Sequence, residues 1–280
     1  MVMFLVRLLQ QRGLRPVVLM RGYMAQRCAD GGASDEATMI SEKLSVPVMV
    51  NPDRIASARN AEGCSMGDVF ILDDGFQHAR VKRDLDIVAI DAMHAFGNGY
   101  LLPRGILREP LAALARADIF ILTKTDIGRE FVANLRLKLD RIKPGCLVVE
   151  TIHAPVAVHD VWANTWVSDL SSLQDRFVGL CAIGSPDSFA AMLKREGARV
   201  EKMFVFDDHH AYTETDVAKV VAFCAEKKIS KVVTTDKDAV KLRDFQRAFQ
   251  GVGLFVLEIE IKVVHGQTEF FSRVDRCFNS

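Results

Sequence analysis

The sequence predicts an α/β protein whose sheets are built from parallel strands. Three observations carry that reading. Runs such as Pro16–Met20, Val69–Leu72 and Ile119–Thr123 are apolar throughout rather than alternating, as strands covered on both faces are. Amphipathic stretches of helical length lie between such runs, as in Asp35–Leu44 and Arg129–Ile142. One strand also ends in two acids, Asp73 and Asp74, the arrangement by which an open sheet presents carboxylates to a crevice.

Taken in order, residues 2–12 read as a helix closed by Gly13, a residue that stops helices in the left-handed region. A strand at Pro16–Met20 leads into a Gly-rich loop through Gly31 and Gly32, then a helix at Asp35–Leu44. A strand at 47–50 precedes a helix at 52–61 with Pro52 at its first position. Strands follow at Val69–Leu72, 86–91 and Ile119–Thr123, and a charged helix at Arg129–Ile142. Pro144-Gly145 then punctuates the chain. Stretches 146–157 and 161–167 are rich in β-branched and aromatic residues with no helix between them, which predicts a β-rich connector. A second α/β unit begins with a strand at 177–183 and a helix marked by Ser185, Pro186, Asp187 and a stop at Gly197. Strands at 202–206, 231–235 and 253–259 flank helices at 213–228 and 238–249. The expected division is a kinase-type lobe over 1–145, a β-rich linker over 146–176 and a smaller α/β lobe over 177–280.

Composition narrows the function. The chain has 280 residues, 36 Lys+Arg against 36 Asp+Glu, and 49% hydrophobic residues, so it is an ordinary globular sequence with no basic excess for nucleic acid. Six scattered cysteines without a C-x-x-C pair predict idle thiols rather than zinc or disulfides. No apolar run reaches the ~18 residues of a membrane span. The apolar opening, Met1 to Leu9, is cut by Arg7. No nucleic-acid partner is expected, and a monomer is.

The segment Val69-Phe-Ile-Leu-Asp73-Asp74-Gly75-Phe76-Gln77-His78 is the strongest signal. A strand ending in acids suits a hydrated Mg²⁺ held beside nucleotide phosphates; a bare Asp-Gly turn would give a similar ending. Other polar groups keep two readings each. Arg104 and Arg108, in a Pro/Gly-rich loop, are anion readers or solvated arginines. Asn98, between Gly97 and Gly99, is a turn residue or a ligand contact. Asp207-Asp208-His209-His210 resembles a metal cluster to the eye, yet adjacent side chains diverge. Thr123-Lys124-Thr125-Asp126 resembles the [NT]-K-x-D string of GTPases, and 234–238 reads as a turn with a cap.

With Arg83-Asp-Leu-Asp86, Phe96-Gly-Asn-Gly99, Leu101-Leu-Pro103, Leu107-Arg-Glu-Pro110, Arg116-Ala-Asp118, Phe206-Asp-Asp-His-His210, Arg21-Gly22-Tyr23 and Asp35-Glu36 in that company, the whole chain resembles the tetraacyldisaccharide 4′-kinases of lipid A biosynthesis. The resemblance implies a P-loop, RecA-like nucleotide lobe and transfer of the ATP γ-phosphoryl to the 4′-hydroxyl of an acylated glucosamine disaccharide 1-phosphate. It implies Asp35, His209 and Arg108 as catalytic residues, Asp73, Asp74, Gln77 and His78 toward ATP and Mg²⁺, and Arg21, Tyr23, Asn98 and Arg104 toward substrate. It also implies peripheral contact with the cytoplasmic face of the inner membrane of a Gram-negative bacterium. The family's Walker-A loop, G-x-x-x-x-G-K-[ST], and its N-terminal membrane helix do not occur in these residues, and the nucleotide lobe reads as one whose first strand is missing. Two rival readings are a non-catalytic homologue that keeps the fold and a P-loop GTPase relative.

Overall fold

The computed structural model describes residues 1–22, 35–167, 175–208 and 210–278. Its helices are α1 (Val2–Gln10), α2 (Asp35–Leu44), α3 (Arg54–Gly63), α4 (Arg129–Ile142), α5 (Pro186–Arg195), α6 (Glu214–Lys227), α7 (Asp236–Leu242) and α8 (Gln267–Asp275). Its strands are β1 (Pro16–Met20), β2 (Val48–Val50), β3 (Val69–Leu72), β4 (Ile87–Asp91), β5 (Ile119–Thr123), β6 (Leu147–Asp160), β7 (Thr165–Val167), β8 (Arg176–Cys181), β9 (Arg199–Val205), β10 (Lys231–Thr234) and β11 (Gly253–His265). The chain is α/β with mostly parallel strands, as its apolar runs predict.

The chain divides into two compact units, each assembled from separate stretches. The first holds Met1–Arg21, Val46–Ala154 and Ile261–Ser280; the second holds Gly22–Ser45 and Pro155–Glu260. The three-part reading by chain position groups these residues differently, because β6 and β11 each contribute residues to both units.

In the first unit β1 lies between β2 and β3, all parallel, with Val18 opposite Val48 and Ile71. β4, β5 and β6 form a second parallel run, with Ile121 between Ala89 and Val149. Helix α3 covers one face of β1, where Ala61 packs on Val17 and Leu19. Helix α4 places Leu135 and Leu139 on Phe120, Leu122 and Val148. The closing helix α8 has no counterpart among the elements read from sequence. Gly266, left-handed at φ 78°, turns the chain into it. It docks on the first segment through an Arg12–Asp275 ion pair and the stacked rings of Phe4 and Phe270.

In the second unit β11, β10, β8 and β9 run parallel in that order. The two-residue period of β8 decides which helix covers which face. Val178 and Leu180 meet Val217, Val220 and Cys224 of α6, whereas Phe177 and Cys181 meet Phe189, Met192 and Leu193 of α5. Thr213 caps α6 by accepting the Asp216 N–H at 3.2 Å.

Local chemistry moves several boundaries. Helix α3 starts at Arg54 rather than at Pro52, because the Asp53 carboxylate accepts the N–H groups of Ile55 and Ala56 at 3.1 Å and so takes the cap position. The expected connector is one 14-residue strand, β6, folded back on the short β7. The helix expected over 238–249 is the shorter α7, capped by Thr235, followed by a 3₁₀ turn at Arg243–Phe245. Among the described residues the cysteines are free, and no helix is long and apolar enough to cross a membrane. Phe120 is fully buried between β5 and α4. Phe120→Ala is expected to lower the unfolding free energy by about 3–5 kcal/mol in equilibrium urea denaturation.

Candidate active site at the strand ends of the first unit

Parallel strands release their side chains at their carboxyl ends, and the first unit gathers polar residues there. The N–H groups of Asn51 and Asp73 donate to Met20 and Leu19 carbonyls at 3.0 Å, which sets these two residues on either side of the end of β1. Asp73 and Asp74 follow β3 directly. Asp74 takes a left-handed backbone at φ 49°, a conformation a non-glycine residue adopts only when its surroundings hold it. The next residue has to be glycine for a steric reason. A Cβ on Gly75 would sit 2.7 Å from the Leu72 Cβ and 3.1 Å from its carbonyl oxygen.

Three arginines fix this turn, one just after it in sequence and two from 34 and 40 residues further on. Arg108 reaches the Asp74 carboxylate at 2.5 Å. Its neighbour Glu109 pairs with Arg116 at 2.9 Å, and the Arg116 guanidinium lies 4.5 Å from the centre of the Phe76 ring. Arg83 pairs with Asp86 at 2.6 Å and donates to the carbonyls of His78 and Val81 at 2.7 and 2.8 Å. Asp118 then accepts the Asp86 N–H at 2.8 Å. Four of the sequence strings singled out, D-D-G-F-Q-H, R-D-L-D, L-R-E-P and R-A-D, are thus one interlocked assembly. Sequence reading chose Arg108 and missed Arg83, Glu109 and Arg116 as its supports. Their charged, loop-like context was the available signal, but pairing partners up to 40 residues apart cannot be read from spacing.

Asp73 is the electrostatically loaded member. Burial pushes its carboxyl above the ordinary aspartate range, and the negative Asp74 beside it adds to that; Arg54 acts in the opposite sense. Gln77 is exposed, while the Nδ1 atom of His78 is buried without a hydrogen-bond partner. A cavity of about 820 Å³ lies between β3 and β4, neighbours that do not pair, and its wall includes Asp73, Asp74, Phe76, Gln77 and Arg108. Both flanking strands are only partly buried although they are apolar, in contrast to β1.

A loop at 98–108 borders the same region. Asn98 donates to the Arg104 carbonyl at 2.9 Å and accepts the Tyr100 N–H at 3.1 Å, so both ends of its amide hold the loop. Gly105 lets the loop close, since a Cβ there would come within 2.2 Å of Asn98 Oδ1 and of the Tyr100 carbonyl. Arg104 stacks on Tyr100 at 3.8 Å, and Leu102 and Ile106 are 63% and 61% exposed. Arg21 is exposed at the end of β1.

The Thr123–Asp126 string serves a neighbouring cluster. Lys124, at φ 56°, puts its ammonium 2.6 Å from Asp91 Oδ2. Burial favours the neutral form of Asp91, but hydrogen bonds from Lys124 and the Met93 N–H outweigh it and hold the carboxyl low. Burial, with Lys124 nearby, lowers His153 to about 4.

In the second unit Asp35 opens α2, its side chain outside the described set, and Tyr23 and His209 lie outside the described residues. Both neighbours of position 209 are anchored. Asp208 pairs with Lys237 at 2.9 Å. His210 lies 3.1 Å from Asp216 Oδ2, stacks on Phe206, and its carbonyl accepts from Lys241 at 3.1 Å. Asp238, fully buried, accepts the Ala182 N–H and the Thr235 hydroxyl, which ties the turn after β8 to the start of α7. Among the described residues no three His, Cys, Asp or Glu side chains gather as a metal site.

The raised state of Asp73 has a pH consequence. Its folded pKa lies above the unfolded one, so the native chain binds the extra proton between those two values and stability falls as pH rises through that window. Asp73→Asn is therefore expected to raise the unfolding temperature at neutral pH. That gain should shrink as pH is lowered to the ordinary carboxylate range near ~4. Calorimetric scans from acid to neutral pH check it, and a gain independent of pH would contradict the assignment.

Comparison with known proteins places these features in one family. The family model described as tetraacyldisaccharide-1-P 4′-kinase matches residues 1–279. A tetraacyldisaccharide 4′-kinase of Halothermothrix orenii is 34% identical over 292 residues, covering 94% of this chain and 76% of the relative. One from Anaeromyxobacter dehalogenans strain 2CP-C is 36% identical over 270 residues, covering 91% and 71%. The crystal structure of LpxK from Aquifex aeolicus in complex with ATP superposes with a TM-score of 0.73 at 26% identity, over 99% of this chain and 82% of that one. The chain belongs to the tetraacyldisaccharide-1-P 4′-kinase family.

Proposed function

We propose that the chain moves the γ-phosphoryl of ATP to the 4′-hydroxyl of a tetraacyl glucosamine disaccharide 1-phosphate. The observation that carries the reading is the interlocked turn after β3. It holds two carboxylates and Arg108 at the strand ends of a parallel sheet, in a chain whose solved relative was crystallised with ATP.

Asp73 and Asp74 are the residues that would hold Mg²⁺. Their donor chemistry fits: two adjacent carboxylates, one pushed toward its neutral form by burial and by the other's charge, gain from a cation between them and nucleotide phosphates. When bound, Mg²⁺ supplies charge neutralisation on the phosphate oxygens. Arg108, held on Asp74 and 58% exposed, is free at its other edge to meet a transferring phosphate oxygen. Gln77 and His78 extend the same turn toward the nucleotide. The 4′ oxygen attacks the γ-phosphorus, the bond to the β-phosphate oxygen breaks, and the hydroxyl proton passes to Asp35 and His209 acting together. Arg21, Tyr23, Asn98 and Arg104 form the substrate side, Asn98 by shaping the loop that carries Arg104.

The exposed apolar loop Tyr100-Leu101-Leu102, with Ile106 and the stacked Arg104, supports peripheral contact with a bilayer that retains the acyl chains. The opening segment contributes less, because Val6, Leu8 and Leu9 of α1 are committed to the core.

Radiolabel transfer from ATP to the acylated disaccharide tests the reading. It is run on the 280-residue chain and on the same chain with a Walker-A segment placed ahead of Met1, since the G-x-x-x-x-G-K-[ST] string does not occur within it. The second form is expected to be much the faster, and no transfer by either overturns the reading. In the active form Arg108→Ala should slow turnover roughly 100-fold, with Arg108→Lys restoring only part. Asp35→Ala, His209→Ala and the double substitution should each lower kcat by a similar factor, since residues acting as a pair are not additive. Leu102→Asp with Ile106→Asp should reduce co-flotation with liposomes containing the acylated disaccharide and leave the unfolding temperature unchanged.

A further inference from the structure

Arg54, the first residue of α3, is 5% exposed, and its guanidinium makes no hydrogen bond or ion pair with any described group; its Nε is fully buried and unpartnered. Buried arginines are normally paired, because an uncompensated charge away from water is strongly destabilising. The acid next to it in sequence, Asp53, is not its partner, being spent on the N–H groups of Ile55 and Ala56.

Its position says what would complete it. β2 delivers the chain to Arg54 at the carboxyl end of the β2-β1-β3 sheet, where Asn51 and Asp73 flank the end of β1. Arg54 is near enough to act electrostatically on the Asp73 carboxyl without bonding to it. A cation that is buried, unpaired and beside the candidate metal-holding acid lacks an anion. We infer that Arg54 is a binding residue for a phosphate group seated at the end of this sheet. A planar guanidinium offers five donors in a fork that matches phosphate oxygens, and one bound oxyanion would satisfy the buried Nε and neutralise the charge together. The phosphate has two possible sources under the kinase reading, the nucleotide and the disaccharide 1-phosphate. The anion requirement itself stands on the geometry, and only the choice of source rests on that reading.

Binding by the full chain of inorganic phosphate, ATP with Mg²⁺, and the disaccharide 1-phosphate is measured by calorimetry and thermal shift, for the native sequence, Arg54→Met and Arg54→Lys. Arg54→Met, similar in length and uncharged, is expected to keep or raise the ligand-free unfolding temperature, because it removes an unpaired buried charge. It should weaken binding of inorganic phosphate and of one phosphorylated ligand roughly 10- to 100-fold. Arg54→Lys should fall between. The ligand that loses affinity names the source. Phosphate binding that depends on Arg54 in a chain without transferase activity would uphold this inference and overturn the kinase reading. Equal affinities of native and Arg54→Met chains for all three probes would overturn it. So would a marked fall in ligand-free stability of both variants, since Arg54 would then be satisfied by the protein alone.

Discussion

Two carboxylates in succession at the end of an apolar strand repel one another, and much of the first unit is arranged around holding them there. Left alone, Asp73 and Asp74 would turn apart into water. Instead Asp74 is fixed in a left-handed backbone by Arg108, and Asp73 stays partly buried with its proton affinity raised. The supports are themselves supported: Arg108 sits beside Glu109, which holds Arg116 over Phe76, and Arg83 holds the carbonyls of His78 and Val81 while bound to Asp86. Each pair alone is worth little where it meets solvent. Together they convert a flexible Asp-Gly turn into a rigid mount, which a group that must stabilise developing charge requires.

Parallel topology explains why this mount is where it is. A parallel strand must be entered and left by crossovers, so every carboxyl end in a sheet faces the same side. Arg21, Asn51 and Asp73 follow β1, β2 and β3 there, Asp91 ends β4 and Lys124 follows β5. The second unit repeats the arrangement with different residues. Buried Asp238 ties the turn after β8 to the start of α7, and Lys237 reaches Asp208, beyond the end of β9. Both units place polar residues at strand ends and keep the strands themselves apolar.

Periodicity made most of this fold legible. β1, β3, β5, α2 and α4 start and end where the apolar runs and amphipathic stretches place them, since each is long or apolar enough to dominate its own neighbourhood. Errors came where a single side chain decides. Asp53 takes the cap, whereas the sequence reading puts Pro52 at the first helical position, and nothing in the periodicity of 52–61 distinguishes the two. α8 was invisible for another reason. Its nine residues carry only Phe270 and Val274 into the core, and its docking depends on Arg12 and Phe4, some 260 positions earlier. For the site, D-D-G-F-Q-H was readable because strand and acids are contiguous. Of the arginines that hold it, Arg83 follows within five residues of His78, but Arg108 and Arg116 lie 34 and 40 residues from the groups they hold, and only folding brings them there. Asn98 shows the same limit, for its amide is used up on Tyr100 and Arg104 in a loop whose closure depends on Gly105.

Several electrostatic and backbone costs of the first unit fall at these strand ends. Asp74 and Lys124 adopt positive φ just after β3 and β5, Asp73 is loaded by burial and by the charge of its neighbour, and Arg54 is buried without a bonded counterion among the described residues. In the middle of the same strands nothing comparable occurs: Val17, Leu19, Phe120 and Ile121 are buried among apolar neighbours. Strain and unpaired charge persist only when the surrounding packing over-determines them, and they concentrate where a ligand would relieve them. Under the proposed reading, the opposite signs of the two loaded groups call for a ligand that carries both. A free cation would answer Asp73 and Asp74 but worsen Arg54, and a free anion would do the reverse. A metal-bound phosphate carries both charges and answers each group at once.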